Sequence, residues 1–436
     1  MENKALKNAK WIVGCKIIQS LINLIIGLIT ARYLGPTNYG VISYVASVVA
    51  FAVPIMQLGL KHTLVNEFIQ TPENEGVILG TSLIMNVISS VCCMFGAIAF
   101  VAFVNVGEKD TVIVCILYSL SLLFQATEIT QYWFQSKLLS KYSSVATLIA
   151  YCGVSAYKIY LLISQKNIYW FALSYVLECS IVSILLLISY KKVGGKKIEI
   201  NWVLGKELLS RSKYYIIPSL MVMVFQHTDR IMLKVMVGGA ETGYYSAAIT
   251  CIGISSFVFA AIIDSARPIV LEARKHNQAK YEMLMIRLYS IITWVSLLQS
   301  IGMTVLSNTL VLLLYGSDYS PSAVILSVAV WYITFGYYGS VRNVWILAEN
   351  KQKYLLVINL LGASANVVLN LVLIPVLYGV GAAVASIITQ LLTNVVVGFM
   401  IKPIRQNNLL MIRGLNPIVM IDMIKEILDA KKQKKY

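Results

Sequence analysis

Twelve apolar stretches follow one another along this chain, and that succession limits the fold more than any other feature. They begin near residues 11, 40, 77, 111, 143, 168, 212, 243, 287, 321, 354 and 379. Each runs to about 20 residues or slightly more, the length a helix needs to cross about 30 Å of hydrocarbon. With 58% hydrophobic and 13% charged residues, the composition excludes an ordinary soluble domain. An all-α polytopic membrane protein of twelve spans is expected.

The basic residues follow this pattern. Taking the N-terminus and the alternate gaps after it together with the C-terminal tail accounts for 28 of the 36 Lys and Arg. The opposite set of gaps holds only Arg32, Lys109 and Lys166. Retained positive charge marks the cytoplasmic face, so both termini are expected there. The net charge of +16 then reflects topology and attraction to anionic lipid, not nucleic-acid binding.

The basic gap Lys191–Lys213 is the longest and reads as a solvated cytoplasmic linker between two groups of six spans. The expected division is an N-terminal lobe over 1–190, a linker over 191–211, a C-terminal lobe over 212–402 and a basic tail over 403–436. The halves look related. Sliding Leu34–Ser43 by 203 residues gives Val237–Ser246, and Gly35, Gly40 and Ser43 match Gly238, Gly243 and Ser246. Both segments fall in a short external turn, where glycine permits rapid reversal. Such halves suggest parallel repeats about an axis along the membrane normal. In the tail, Ile418, Ile421, Ile424, Ile427 and Leu428 share one face of a helix, opposite Asp422, Lys425, Glu426 and Asp429. With Lys431, Lys432, Lys434 and Lys435 behind it, this reads as an amphipathic helix on the cytoplasmic leaflet.

Chemistry based on catalysis or metals has little footing. The seven cysteines all lie in apolar spans, the three histidines are scattered, and no nucleophile–base pair stands at a diagnostic spacing. No catalytic residue, metal site or cofactor is expected. Ile12-Val13-Gly14-Cys15 resembles a lipoprotein cleavage site, but too few apolar residues separate it from Lys10, and no removed signal is expected.

Polar residues within the spans are the functional candidates, because each costs free energy unless it meets a partner, water or cargo. Lys16, Ser20, Asn23, Gly27 and Thr30 line one face of the first span, as a cavity wall or a packing seam; a seam does not account for the lysine. In the seventh span Gln226, Arg230 and Lys234 recur every four residues, with Asp229 beside them. An internal ion pair fits these residues, and so does an anionic head group. Lys234 has the further option of snorkelling to the outer interface. Gln125, Glu128, Tyr132 and Gln135 share a face of the fourth span, suited equally to a sugar or an interhelical network. Lys158 and Glu178 occupy neighbouring spans, where they can pair. Asp264 and Arg342 are isolated charges, and the stripe Asn359, Gly362, Asn366 and Asn370 reads as packing.

Four segments carry a family resemblance in register along nearly the whole chain. They are Ala31-Arg32-Tyr33-Leu34-Gly35-Pro36 with Tyr39-Gly40; Asp229–Leu233 with Gly243–Ala248; Leu314–Tyr319; and Asn366–Asn370 with Leu373-Ile374-Pro375 and Gly379–Ala383. Together they resemble the polysaccharide-transport branch of the multidrug/oligosaccharidyl-lipid/polysaccharide (MOP) exporter superfamily, the oligosaccharide flippases of surface-polysaccharide assembly. The resemblance implies two pseudo-symmetric six-helix lobes around a central cavity that opens alternately to each side. It implies an undecaprenyl-diphosphate-linked oligosaccharide as cargo, moved outward across a bacterial inner membrane. Membrane lipids, a polysaccharide polymerase and other assembly proteins are the implied partners, and nucleic acid is not.

On this resemblance the diphosphate falls to Arg230, with Lys234, Lys16, Lys61 and Arg32 as further basic candidates. Ser20, Asn23, Gln125, Glu128, Tyr132 and Gln226 are the polar, sugar-facing candidates. Asp229, Glu128, Glu178 and Asp264 are the candidates for ion coupling. A cation-coupled multidrug exporter of the same superfamily is the alternative, although its acidic pocket is not evident. A membrane transferase is disfavoured by the short external loops.

Overall fold

The structure, a computed structural model, describes residues 2–433. Lys434 and Lys435 lie outside the described residues, as do the side chains of Ile427, Lys431 and Lys432. Among the described residues the elements are helical, with no strand. The chain divides into two compact units, 1–243 and 244–436. That division lies beyond the basic linker, so the seventh apolar stretch belongs with the first unit.

The first unit begins with α1 (Glu2–Met56), which is broken at Gly35 (φ 70°, ψ 169°). A side chain is strained at that φ, and the following Pro36 brings no N–H to continue the ladder. The expected turn is therefore a break between two helical segments. Then follow α2 (Glu75–Val104), α3 (Lys109–Ser136), α4 (Ser140–Ile163), α5 (Ile168–Lys192), α6 (Trp202–Ser212) and α7 (Ile216–Met236). A 3₁₀ turn at Ala126–Ile129 interrupts α3. The second half of α1 packs antiparallel to α7: Gly40 meets Gly239, and Ser47 Oγ lies 3.2 Å from His227 Nδ1. One buried cluster gathers Tyr44, Val45, Val114, Leu122 and Phe171; another gathers Leu60, Phe68, Trp133 and Tyr190.

The linker keeps most of its residues exposed while its backbone is docked on the first unit. Glu199 N donates to Gly76 O at 3.3 Å, and Asn201 N donates to Thr81 Oγ1 at 2.9 Å. Side chains at Gly76 and Gly80 would collide with the carbonyls of Lys197 and Glu199, so glycine admits the linker backbone against α2. Lys196 Nζ donates to the carbonyls of Pro72 and Glu73. Asn201 caps α6 by accepting from the amides of Val203 and Leu204. Arg211 pairs with Glu67 at 2.7 Å, and Ser212 Oγ donates to Leu58 O at 2.8 Å.

The helix α8 (Gly239–Gly253) begins in the first unit and continues into the second, where it meets α9 (Ser256–His276) at a bend of 44°. They lead to α10 (Gln278–Val305), α11 (Pro321–Ala348) and α12 (Lys353–Met400). The basic residues Arg267, Arg274 and Lys275, expected in a loop, extend α9. A break at Tyr378 (φ 53°, ψ −131°) divides α12 just after Pro375, where the last two stretches were expected to separate. Two further helices, α13 (Arg405–Gly414) and α14 (Pro417–Gln433), follow. Tyr281, Met285, Tyr289, Val344 and Trp345 form much of the core, and Tyr289 Oη donates to Asn407 Oδ1 at 2.8 Å.

Among the described residues, eight helices are long and apolar enough to cross a membrane, or nine with the α8–α9 pair as one span. The membrane-spanning parts of α1 and α12 measure 43 and 48 residues, well beyond the roughly 20 of one crossing, and each contains a break. The α7 helix is outside that count and carries Asp229, Arg230 and Lys234 within its length.

Candidate functional site

Along α7 the predicted polar face is open at one end and covered at the other. Gln226 is exposed, Arg230 half-buried and Lys234 buried. Arg230 Nη1 lies 3.5 Å from the carbonyl of Gln226, one turn back on the same helix. Asp229 is buried, as is the neighbouring Thr228.

The compensating carboxylate for Lys234 comes from elsewhere in the chain. Lys234 Nζ donates to Glu108 Oε2 at 2.5 Å and lies over the Tyr44 ring, 5.9 Å from its centroid. Thr111 Oγ1 also donates to Glu108 Oε2, at 2.6 Å, and Tyr44 Oη donates to Asn105 Oδ1 at 2.7 Å. Burial raises the Glu108 carboxyl, but hydrogen bonds from Lys234 and Thr111 outweigh it and hold the group below the usual carboxylate range. Glu108 was not a sequence candidate. Its available signal was an acidic residue in a short gap between two apolar stretches.

Lys16, Ser20 and Asn23 are all exposed on α1, with Gly27 and Thr30 partly so. Ser20 Oγ donates to Lys16 O at 2.8 Å, a bond within the helix that leaves the lysine head uninvolved. Ile17, Leu21 and Ile25 are also exposed, so the polar stripe crosses an apolar surface. Arg32, just before the break in α1, and Lys61, beyond its C-terminal end, are exposed as well. Lys16 and Arg32 are separated by about 24 Å of helix, so the basic candidates do not form one cluster.

The fourth-span residues lie mostly inside the first unit. Gln125 and Tyr132 are buried, whereas Gln135 is exposed. Gln125 Nε2 donates to Ser121 Oγ at 3.2 Å and to Tyr175 Oη at 3.4 Å, and Tyr118 stacks on Tyr175. Thr127 Oγ1 donates to Ser183 Oγ at 2.7 Å, joining α3 to α5. Glu178 interacts electrostatically with both Glu128 and Lys158. This arrangement has the form of an interhelical network. A separate cavity of about 630 Å³, walled by Phe51, Ile55, Phe100, Leu220 and Ile231, is apolar, and no sequence candidate lines it.

In the second unit Asp264 is exposed and pairs with Arg267 at 3.1 Å. Arg342 is buried and donates to Thr393 O at 2.9 Å, which ties α11 to the π turn of α12. Among the described residues no group of three His, Cys, Asp or Glu is placed to hold a metal ion.

The two turns matched by the 203-residue offset touch each other. A side chain at Gly40 would collide with Gly239, and one at Gly243 would collide with Pro36. Gly239 stands at the offset position of Pro36, and Gly243 at that of Gly40, so the contact is reciprocal, as across a two-fold interface. Gly35 and Gly238, also equivalent, both have positive φ.

A family model described as polysaccharide biosynthesis protein matches residues 5–272 of the chain. No curated protein sequence matches it. Among solved structures, the lipid II flippase MurJ in an inward closed conformation aligns with a TM-score of 0.71 at 13% identity, covering 95% of this chain and 92% of that one. An inward-facing multidrug resistance MATE family transporter of the MOP superfamily aligns with a TM-score of 0.67 at 12% identity, covering 89% and 96%. A MOP superfamily transporter from Pyrococcus furiosus Vc1 aligns with a TM-score of 0.55 at 13% identity, covering 92% and 95%. At these identities the likeness is one of fold, and the fold is of the MOP type.

Proposed function

We propose, for a chain that belongs to the polysaccharide biosynthesis protein family, that it is a flippase for lipid-linked oligosaccharide. The cargo is an undecaprenyl-diphosphate-linked repeat unit. It passes from the cytoplasmic to the outer leaflet of a bacterial inner membrane, for assembly of O-antigen, capsule or exopolysaccharide. The chain crosses twelve times, counting each half of α1 and α12 and including α7, with both termini cytoplasmic.

One observation carries this reading: polar residues stand open on helices that are otherwise apolar. Lys16, Ser20 and Asn23 on α1 and Gln226 on α7 are exposed, and Arg230 is half-exposed. Polar groups at membrane depth need water or a polar ligand. A diphosphate meets a guanidinium through paired charge-assisted hydrogen bonds, and a sugar meets hydroxyl and amide groups. Lys234, already neutralised by Glu108, serves the architecture of the external end, and the diphosphate role concentrates on Arg230, with Lys16 as the second cation. Alternating access carries the cargo, with the Pro36–Gly40 and Gly239–Gly243 contact as the external gate.

Arg230→Ala is expected to abolish surface-glycan export while the protein still accumulates in the membrane. Arg230→Lys should retain part of the activity, because charge survives without the bidentate fork. Surface glycan and membrane-protein level are measured together. Loss of the protein itself in Arg230→Ala, restored by adding Asp229→Ala, would identify a structural ion pair and remove Arg230 from the cargo site.

A further inference from the structure

The second unit contains a cleft with a composition unlike that of the polar stripe. Helices α9 and α10 diverge to leave a cavity of about 600 Å³, within the roughly 300–1,000 Å³ of ligand sites. Ile262 and Ile269 wall it from α9, Leu284 walls it from α10, and Met423 of α14 closes one side. Only two lining residues carry polar side chains, Ser265 and Arg287. Arg287 Nη2 bonds Glu426 Oε1 of α14 at 2.7 Å, with the arginine side chain 30% exposed and the glutamate 57%. An exposed ion pair of this kind is weak and open to competition.

Two observations indicate what fills such a cleft. Ile418, Ile421, Ile424 and Leu428 form an exposed apolar row on α14, while Met423 turns toward the cleft. A short helix with an outward apolar row and interspersed charges sits in the head-group layer, which places the rim of the cleft at that depth. Arg287 is the charged residue on the cleft's lining, beside the Glu426 it bonds. An apolar slot with one cation at head-group depth matches a molecule with a hydrocarbon chain and a phosphate.

We propose that this cleft binds a membrane phospholipid with an anionic head group, its acyl chain between α9 and α10 and its phosphate on Arg287. The phosphate displaces Glu426, so lipid occupancy and the Arg287–Glu426 clasp exclude one another. This lipid is a resident of the bilayer and distinct from any transported cargo.

The test is native mass spectrometry of the full chain in detergent, titrated with phosphatidylglycerol or phosphatidylcholine of identical acyl chains. The wild type should retain phosphatidylglycerol in preference. Arg287→Gln should lower that retention about tenfold, the loss of one charge-assisted contact, and lower phosphatidylcholine retention less, because the choline ammonium already offsets its phosphate. Ala266→Trp, which fills the cleft, should reduce retention of both lipids. Glu426→Gln removes the internal competitor and should strengthen phosphatidylglycerol binding several-fold, an increase that damage to the fold would not produce. Unchanged phosphatidylglycerol retention in Arg287→Gln, or no gain in Glu426→Gln, overturns the site.

Discussion

Lys234 shows how far a single residue can be read from its neighbours in sequence. Its spacing from Arg230 announced two cations one turn apart and hence a required counter-charge. That carboxylate is Glu108, 126 positions away, brought in by the packing of the first unit. Local periodicity gives the face of a helix but not what covers it, so Gln226 and Arg230 were legible as open polar positions and Lys234 was not. The same limit applies to Gln125, whose spacing does not foretell its hydrogen bond to Tyr175 on α5. The Lys234 pair has a testable cost. Glu108→Gln leaves a buried ammonium without its anion and should destabilise the protein by about 1–3 kcal/mol, less than for a fully buried pair because Glu108 is 47% exposed. The folded carboxyl titrates below its unfolded counterpart. The pair's contribution is therefore complete above the ordinary carboxylate range and is lost as pH falls through the lowered folded value. Thermal melts in detergent across that acid range should show a decline for the wild type that Glu108→Gln lacks. Adding Lys234→Met to Glu108→Gln should recover stability; a double variant no better than the single would argue against the pair.

At the scale of elements, repeat-related turns were visible because glycine leaves a sequence trace where geometry requires it. Gly35 and Gly238 supply the positive φ, while Gly40 and Gly243 supply close approach. Their contact was not visible, since sequence similarity carries no information on whether two similar segments touch. The linker's backbone docking was not visible for a related reason: seven basic residues and a Gly-Gly pair give the exposure of its side chains, but not that Gly76 and Gly80 on α2 accept its backbone. Both contacts depend on the absence of a Cβ. Gly243→Ala should collide with Pro36 and prevent the two turns from closing, whereas Gly27→Ala, with nothing within 4 Å, should be tolerated. In a cysteine-free background, a Cys at the exposed Asn38 should react faster with thiol reagents when Gly243→Ala is present and remain unchanged with Gly27→Ala. Equal labelling in all three proteins would mean that the turn contact does not shield that surface.

For the whole molecule, the strongest constraint is the alternation of charge, which acts on the chain as it inserts and so can be read before any packing is known. Apolar length alone is a weaker guide, because the two segments of α1 and of α12 adjoin at their breaks with no polar gap between them, and α7 is not among the helices long and apolar enough to cross. Charge still separates these segments: 28 of the 36 basic residues fall on one side if the halves of α1 and α12 and the whole of α7 each cross. Removing any one crossing after the linker would put the linker and the basic tail on opposite sides, and removing one before it would separate the linker from the N-terminus. Two positions suit a direct test. Val106 is 83% exposed in the gap between α2 and α3, and Lys197 has an exposed side chain in the docked linker. Both belong in a cysteine-free background, because Cys92 and Cys152 are exposed in the native chain. In intact cells, Val106→Cys should react with an impermeant thiol reagent added outside, and Lys197→Cys should react only after the membrane is opened. A Cys at Arg413, exposed in α13, should behave like Lys197→Cys, since the tail shares the linker's side. Labelling of Arg413→Cys from outside with Lys197→Cys protected would require an odd number of crossings between linker and tail. That result would remove the twelve-crossing topology and leave the charge alternation without a cause.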